Sequence, residues 1–259
     1  MSGSLGLPPE VCQILLRRGV ETPTEAKIFL RPNLSAVHSP LDLPDMERAA
    51  IRVERALGGG ETILVHGDYD ADGMSASALL TLGLRELGGR AEAFVPHRTR
   101  DGYDLSDAGL QRATELGATL IVTADCGVTA GEAVRKAASL GIEVVVTDHH
   151  RPGAELPEAV AVVNPMLTGS QYPFRGLAGV GVAFKLLSVL YERAGVGTQA
   201  LNQHLDLVAL GTVADQMPLT GENRILVRAG LRAMERSRKP GLRALMRNAG
   251  NGPHQRNEA

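Results

Sequence analysis

The chain has 259 residues, 44% of them hydrophobic, and a formal net charge of −2, enough apolar material for one large core, or for one core plus a small appendage, and too much for global disorder. No basic excess advertises nucleic-acid binding, although a local basic groove would vanish in that sum. Cys12 and Cys126 lie far apart at no metal-ligand spacing, no apolar run nears the roughly 18 residues that span a bilayer, and no signal pattern opens the chain, so a reduced, cytoplasmic protein is expected.

Residues 1 to about 60 read as short helices packing on the core, with Pro8-Pro9 opening one and Thr22-Pro23-Thr24-Glu25 carrying cap chemistry ahead of Ala26 to Leu30. From Thr62 the pattern changes to short β-branched runs, Ile63 to Val65, Ala91 to Val95, Leu120 to Thr123 and Glu143 to Thr147. Between and after them lie helical stretches at Met74 to Leu87, Ser106 to Leu116, Thr129 to Leu140, Leu177 to Arg193, Leu201 to Val213 and Asn223 to Arg236. The alternation predicts an α/β fold, a parallel sheet flanked by helices on both faces, over residues 61–238. Residues 239–259 read as a basic, polar tail, helical only over Lys239 to Arg247, and 248–259 are expected to fray.

The strand candidates end in one chemical type. Ile63 to Val65 runs into His66 and then Asp68, Asp70 and Asp72; Leu120 to Thr123 into Asp125; Val144 to Thr147 into Asp148-His149-His150. In an open parallel sheet those ends share one edge, where ligands bind, so three clusters should converge. Packed carboxylates repel unless solvent, protons or cations compensate, which points to a site for hard divalent metal. Taken singly, Asp72 could merely cap the next helix and the two histidines could decorate a solvated loop. If the segment is extended, Asp68, Asp70 and Asp72 point the same way, with Gly67 and Gly73 permitting close backbone approach and Gly127 doing likewise after Asp125. Asp215 ends the apolar helix of LVALGTVADQMPL (207–219), where it either caps or meets a cation. Two weaker signals are GLAGVG (176–181), whose N–H groups could meet a phosphate or whose glycines could serve packing, and Arg98, a phosphate contact or simply surface charge.

GDYDADG (67–73), ADCG (124–127), TDHH (147–150) and GTVAD (211–215) together resemble, in order, the four motifs of the DHH phosphoesterase superfamily, most closely its RecJ-type single-strand-specific exonucleases. The likeness extends to LLRRGVETPTEAKIFLRP, VGVAFKLL and PLTGENRILV. It implies two Mn²⁺ or Mg²⁺ ions, one held by His66, Asp70 and Asp125 and the other by Asp72, Asp125, His149 and Asp215, with Asp125 bridging. His150 would face the scissile phosphate, Asp68 would be a supporting acid or accessory ligand, and Arg98 resembles a phosphate-contacting arginine. The implied activity is 5′-to-3′ release of mononucleotides from single-stranded DNA in repair and recombination, with a single-strand-binding protein and a helicase as partners. Relatives carry further DHHA1 and OB domains that these residues do not supply, and Gly102-Tyr103-Asp104 stands where Gly-Tyr-Gly is usual. Two alternatives stay open: a DHH phosphoesterase acting on short oligonucleotides, cyclic dinucleotides or pyrophosphate, and a truncated metal-binding fragment without turnover.

Overall fold

A computed structural model describes residues 2–250; the frayed end expected over 248–259 lies, from 251 on, outside the described residues. Three short helices come first, α1 (Ser2–Leu5), α2 (Pro9–Arg17) and α3 (Pro23–Leu30). The expected cap is a full box: Thr22 Oγ1 accepts from the Glu25 N–H, and the Glu25 carboxylate accepts from the Thr22 N–H. Leu15, Val20 and Ala26 form a small cluster of their own. The next helix, α4 (Met46–Gly59), is different, because its buried residues Met46, Ala49, Ala50, Val53 and Ala56 recur at helical spacing and enter the main core. The first 60 residues are therefore not all appendage; α4 is a layer of the central unit.

Five strands form one parallel sheet in the order β2-β1-β3-β4-β5: β1 (Thr62–Gly67), β2 (Arg90–Phe94), β3 (Leu120–Ala124), β4 (Glu143–Thr147) and β5 (Ala161–Val163). Four lie where the β-branched runs place them. The fifth, three residues long, is too short to show a period in sequence. Helices α5 (Ala71–Glu86), α6 (Asp107–Glu115) and α7 (Gly131–Ser139) make the crossovers, followed by α8 (Gly179–Arg193), α9 (Leu205–Ala214), α10 (Gly221–Met234) and α11 (Pro240–Asn248). The helix expected from Leu201 begins instead as a 3-10 stretch, Thr198–His204. Ile63, Val65, Leu120, Val122 and Val145 face the layer made with α4, α5, α8 and α9, while Leu64, Ile121, Val144 and Val146 face Leu110, Ala113, Val134 and Ala137 of α6 and α7. Both faces are covered, as continuous apolar strands require.

The segment after α3 is held to the core by a buried ion pair. Lys185 Nζ donates to Glu222 Oε1 (2.6 Å) and to the His38 carbonyl (2.6 Å), and the His38 N–H donates to the same carboxylate oxygen (2.8 Å). Among the described residues, no helix is long and apolar enough to cross a membrane.

α9 and α10 touch backbone to backbone at Gly230, where a Cβ would lie 2.1 Å from the Leu205 carbonyl oxygen and 2.6 Å from Ala209 Cβ. Gly to Ala in a helix ordinarily gains about 1 kcal/mol; overpacking here costs about 1–3 kcal/mol and should win. Gly230→Ala is expected to lower the urea midpoint, and a raised midpoint would show that the two helices part without penalty.

Candidate metal centre

The acids stand one residue beyond the strands, and the sheet's own hydrogen bonds place them. Asp68 N–H donates to the Ala124 carbonyl (3.2 Å), Asp125 N–H to that of Thr147 (3.0 Å) and Asp148 N–H to that of Val163 (3.1 Å). Each strand end is thus pinned to its neighbour, around the point between β1 and β3 where the strand order reverses. Asp125 has φ 67°, a left-handed conformation uncommon outside glycine, and Gly127 follows at φ 106°. Two threonines hold this turn. Thr147 Oγ1 donates to the Thr123 carbonyl (2.6 Å), Thr147 N–H donates to Thr123 Oγ1 (3.2 Å), and Thr123 Oγ1 donates to the Cys126 carbonyl (2.7 Å). Strain of this kind persists only where its surroundings over-determine it.

Asp72 sits in the first turn of α5 and is fully buried. Its two oxygens accept from the Gly179 N–H (2.8 Å) and the Val180 N–H (3.0 Å) at the start of α8, where the helix dipole favours negative charge. Those N–H groups, read from GLAGVG as a phosphate cradle or as packing, hold a protein carboxylate instead. The missing Cβ atoms are needed as well: one at Gly179 would lie 2.2 Å from Asp125 Oδ1, and one at Gly211 2.5 Å from Asp72 Oδ1.

Three carboxylates converge on one imidazole nitrogen. His149 Nε2 lies 3.1 Å from Asp125 Oδ1, 3.6 Å from Asp215 Oδ2 and 3.9 Å from Asp72 Oδ2. Beside this group, single oxygens of Asp68, Asp70 and Asp125 lie within 4.8 Å of one another. Asp125 belongs to both neighbourhoods. Neither of its carboxylate oxygens, nor His149 Nε2, makes a hydrogen bond of acceptable geometry, although all three atoms are buried. Buried polar atoms left so are costly, and an oxygen-plus-imidazole donor set is what Mn²⁺ or Mg²⁺ takes. Burial drives the Asp125 carboxyl well above its usual range and that of Asp72 up to about 8, with Asp125's charge adding to the latter; Asp68 and Asp215 are raised by burial too. These acids do not all ionise together without a nearby positive charge.

His150 has another task. Its Nδ1 lies 2.8 Å from Asp148 Oδ1, and that hydrogen bond raises its pKa to about 9, leaving a partly exposed imidazolium beside the cluster. The same Asp148 oxygen accepts from the His149 and His150 N–H groups, and Asp148 Oδ2 accepts from Val128 N–H. Asp148 was visible in TDHH, but a sequence does not say which of three adjacent polar residues turns inward to organise the others. Tyr103, likewise given no role by sequence, lies with its hydroxyl 3.5 Å from His150 Nδ1.

The residues expected as ligands, Asp70, Asp72, Asp125, His149 and Asp215, come together, and Asp68, expected as a supporting acid or accessory ligand, lies on the Asp70 side. His66 does not join them. Strand alternation turns its ring toward α6, with Nε2 3.5 Å from Ser106 Oγ and Nδ1 3.8 Å from Cys126 Sγ, and burial lowers its pKa to about 4. The extended reading of residues 68–72 also needs correction: α5 begins at Ala71, Asp70 is its N-cap, accepting from the Gly73 N–H (2.9 Å), and Asp72 is helical. Gly67 and Gly73 act through close approach, since Cβ atoms there would strike Ser77 Oγ and Asp68. Arg98 is exposed on the rim, its guanidinium 5.2 Å from the centre of the Tyr69 ring. Asp104 has φ 72°, which explains why glycine suits that position, and its Oδ2 accepts from Thr129 Oγ1 (2.8 Å).

The family model for the DHH family, N-terminal domain, matches residues 62–212. The single-stranded-DNA-specific exonuclease RecJ of Bacillus subtilis is 36% identical over 258 residues, covering 100% of this chain and 32% of that protein. RecJ of Escherichia coli is 39% identical over 251 residues, covering 93% of this chain and 43% of that protein. The crystal structure of RecJ from Thermus thermophilus in complex with Mn²⁺ matches at TM-score 0.79 and 37% identity, over 96% of this chain and 35% of that one. The chain thus spans less than half the length of these relatives.

In chelator, the melting temperature should fall as pH rises from 6.5 to 9, above the range in which the lowered pKa of His66 acts in the opposite direction. The Asp72 carboxyl binds its proton more tightly folded than unfolded, so its contribution is full below the unfolded carboxyl value and lost as pH climbs through about 8; the raised His150 contributes below about 6.5 and is lost through about 9. Asp72→Asn, which cannot ionise, should flatten the loss below pH 8 by several degrees. A melting temperature that rises with pH over this window would contradict the electrostatics described.

Proposed function

The chain belongs to the DHH family, and on that premise we propose that it is the catalytic core of a metal-dependent phosphodiesterase that removes nucleotides from the 5′ end of single-stranded DNA. The observation that carries the reading is the convergence of Asp72, Asp125 and Asp215 on His149 Nε2, with buried atoms left for a cation to satisfy. Names of similar proteins support the substrate class, and their structures with Mn²⁺ and Mg²⁺ support a divalent ion. Asp72, Asp125, His149 and Asp215 would hold one ion, and Asp68, Asp70 and Asp125 a second. When bound, such ions polarise a phosphoryl oxygen and lower the pKa of water.

The chain's own residues do the rest. Asp148 fixes the His150 ring through Nδ1, which leaves the Nε2 proton free to neutralise a phosphoryl oxygen or to pass to the departing 3′ oxygen. Gly179 and Val180 hold Asp72 in place, and Thr123 and Thr147 hold Asp125. Arg98, splayed on Tyr69 at the rim, is suited to a neighbouring phosphate. A single-strand-binding protein and a helicase belong to the same reading as partners.

With Mn²⁺ and 5′-labelled single-stranded DNA, the chain should release labelled mononucleotide, and Asp125→Asn should lower the rate by about 10³-fold. Mn²⁺ should raise the wild-type melting temperature at pH 8 but not that of Asp125→Asn. Hydrolysis of dinucleotides with no action on longer strands would favour an oligonucleotide phosphoesterase, and full activity of Asp125→Asn would refute the assigned centre.

A further inference from the structure

A cleft of about 1290 Å³ opens between the second half of α10 and the segment that follows α3, with Pro32, Asn33 and Leu34 on one wall and Arg228, Arg232 and Arg236 on the other. None of the metal-centre acids lines it. α9 ends beside Asp215, the chain turns, and α10 runs back antiparallel, bringing Gly230 against Leu205. Along α10 every fourth residue from 224 to 232 is arginine, a series that leads away from the metal centre, and Arg236 follows in the turn just past the helix. Each step rises about 6 Å along the helix, on the order of the spacing between successive phosphates of a stretched single strand.

Local charge differs sharply from the total of −2, since residues 221–250 carry eight basic side chains and two acidic ones. The series divides in two. Arg224 Nε donates to the Phe29 carbonyl (2.7 Å) with its guanidinium stacked on the Phe29 ring, and Arg228 donates to the Leu30 carbonyl (3.0 Å), so these two fasten α3. Arg232 and Arg236 are exposed, and their guanidinium groups make no hydrogen bond or ion pair with any described residue. The acids on the same walls are Glu86, which faces His204 Nε2 at 3.0 Å and accepts from Tyr191 OH, and Glu235. His204 lines the cleft, is 3% exposed, and keeps a buried Nδ1 without a partner. A cleft of this size with unpaired arginines on one wall, in a segment with a large local excess of basic side chains, suits an extended anion rather than a compact one.

We propose that this cleft binds the phosphate backbone of single-stranded nucleic acid at a distance from the metal centre, with Arg232 and Arg236 as the phosphate contacts. The proposal rests on the phosphodiesterase reading for its substrate, but its test does not need turnover. Binding of a fluorescein-labelled oligothymidylate is measured by anisotropy in EDTA across a salt series, for the wild type, for Arg232→Ala/Arg236→Ala, and for a control, Arg90→Ala/Arg135→Ala, that removes two exposed charges elsewhere. The cleft variant should bind at least about tenfold more weakly, and its slope of log affinity against log salt should be shallower by about 1.4, or 0.7 for each lost phosphate contact; the control should keep the wild-type slope. Equal affinity and slope in the cleft variant, or an equal loss in the control, overturns the proposal. Competition by polyglutamate as effective as by unlabelled oligothymidylate also overturns it, in favour of an acidic protein partner. Mn²⁺-dependent cleavage of a dinucleotide on the same preparations separates the two readings: cleavage with unaltered strand binding removes the cleft alone, and cleft-dependent binding without cleavage by the wild type removes the phosphodiesterase alone. Both arginines are exposed, so the variant should melt as the wild type does.

Discussion

The parallel ladder does not stop where the strands stop, and the site depends on that. One further backbone hydrogen bond beyond each of β1, β3 and β4 places Asp68, Asp125 and Asp148 on the same edge, each tied to the next strand over. A loop left to itself would not hold like charges close together. Here the acids inherit the rigidity of a sheet whose two faces are both buried, and the repulsion among them is borne by the core rather than by a flexible turn.

Electrostatics then sorts acids that look alike in sequence. Asp72 is held by the start of α8, Asp148 by three backbone N–H groups and the His150 ring, and Asp125 by no donor at all. The first two are satisfied within the protein. Asp125 is not: it combines a left-handed backbone with buried oxygens that have no donor, and the proposed function rests on that combination. His149 and His150 separate for the same reason: one ring faces carboxylates around its free nitrogen, while the other is claimed by Asp148 and pointed outward.

The arginine series along α10 and the turn after it extends the division of labour. Its near half ties α3 to the core and its far half faces a cleft, so one periodic feature serves both stability and the surface. A net charge near zero conceals this, because an acidic centre and a basic helix cancel in the sum while standing at opposite ends of the same helix pair.

Much of the fold was legible in sequence, because short β-branched runs alternating with helical stretches leave little choice but a parallel sheet, and ligands of such a sheet meet at its carboxyl edge. The family motifs named the acids and histidines as a group. What sequence could not assign was orientation. His66 stands next to the GDYDADG motif that holds Asp70, yet strand alternation turns it toward Ser106 and Cys126; Asp72 points inward because α5 starts at Ala71 rather than Met74; β5 is a strand because Ala161 to Val163 pair with Val145 to Thr147 of β4. The composition and order of residues determined the architecture and the chemical type of the site, since both follow from local period and side-chain identity. Which atom faces which was decided only by tertiary structure, because a half-turn of backbone at a strand end or helix start redirects a side chain to another wall, and that half-turn is set by hydrogen bonds to residues far away in the chain.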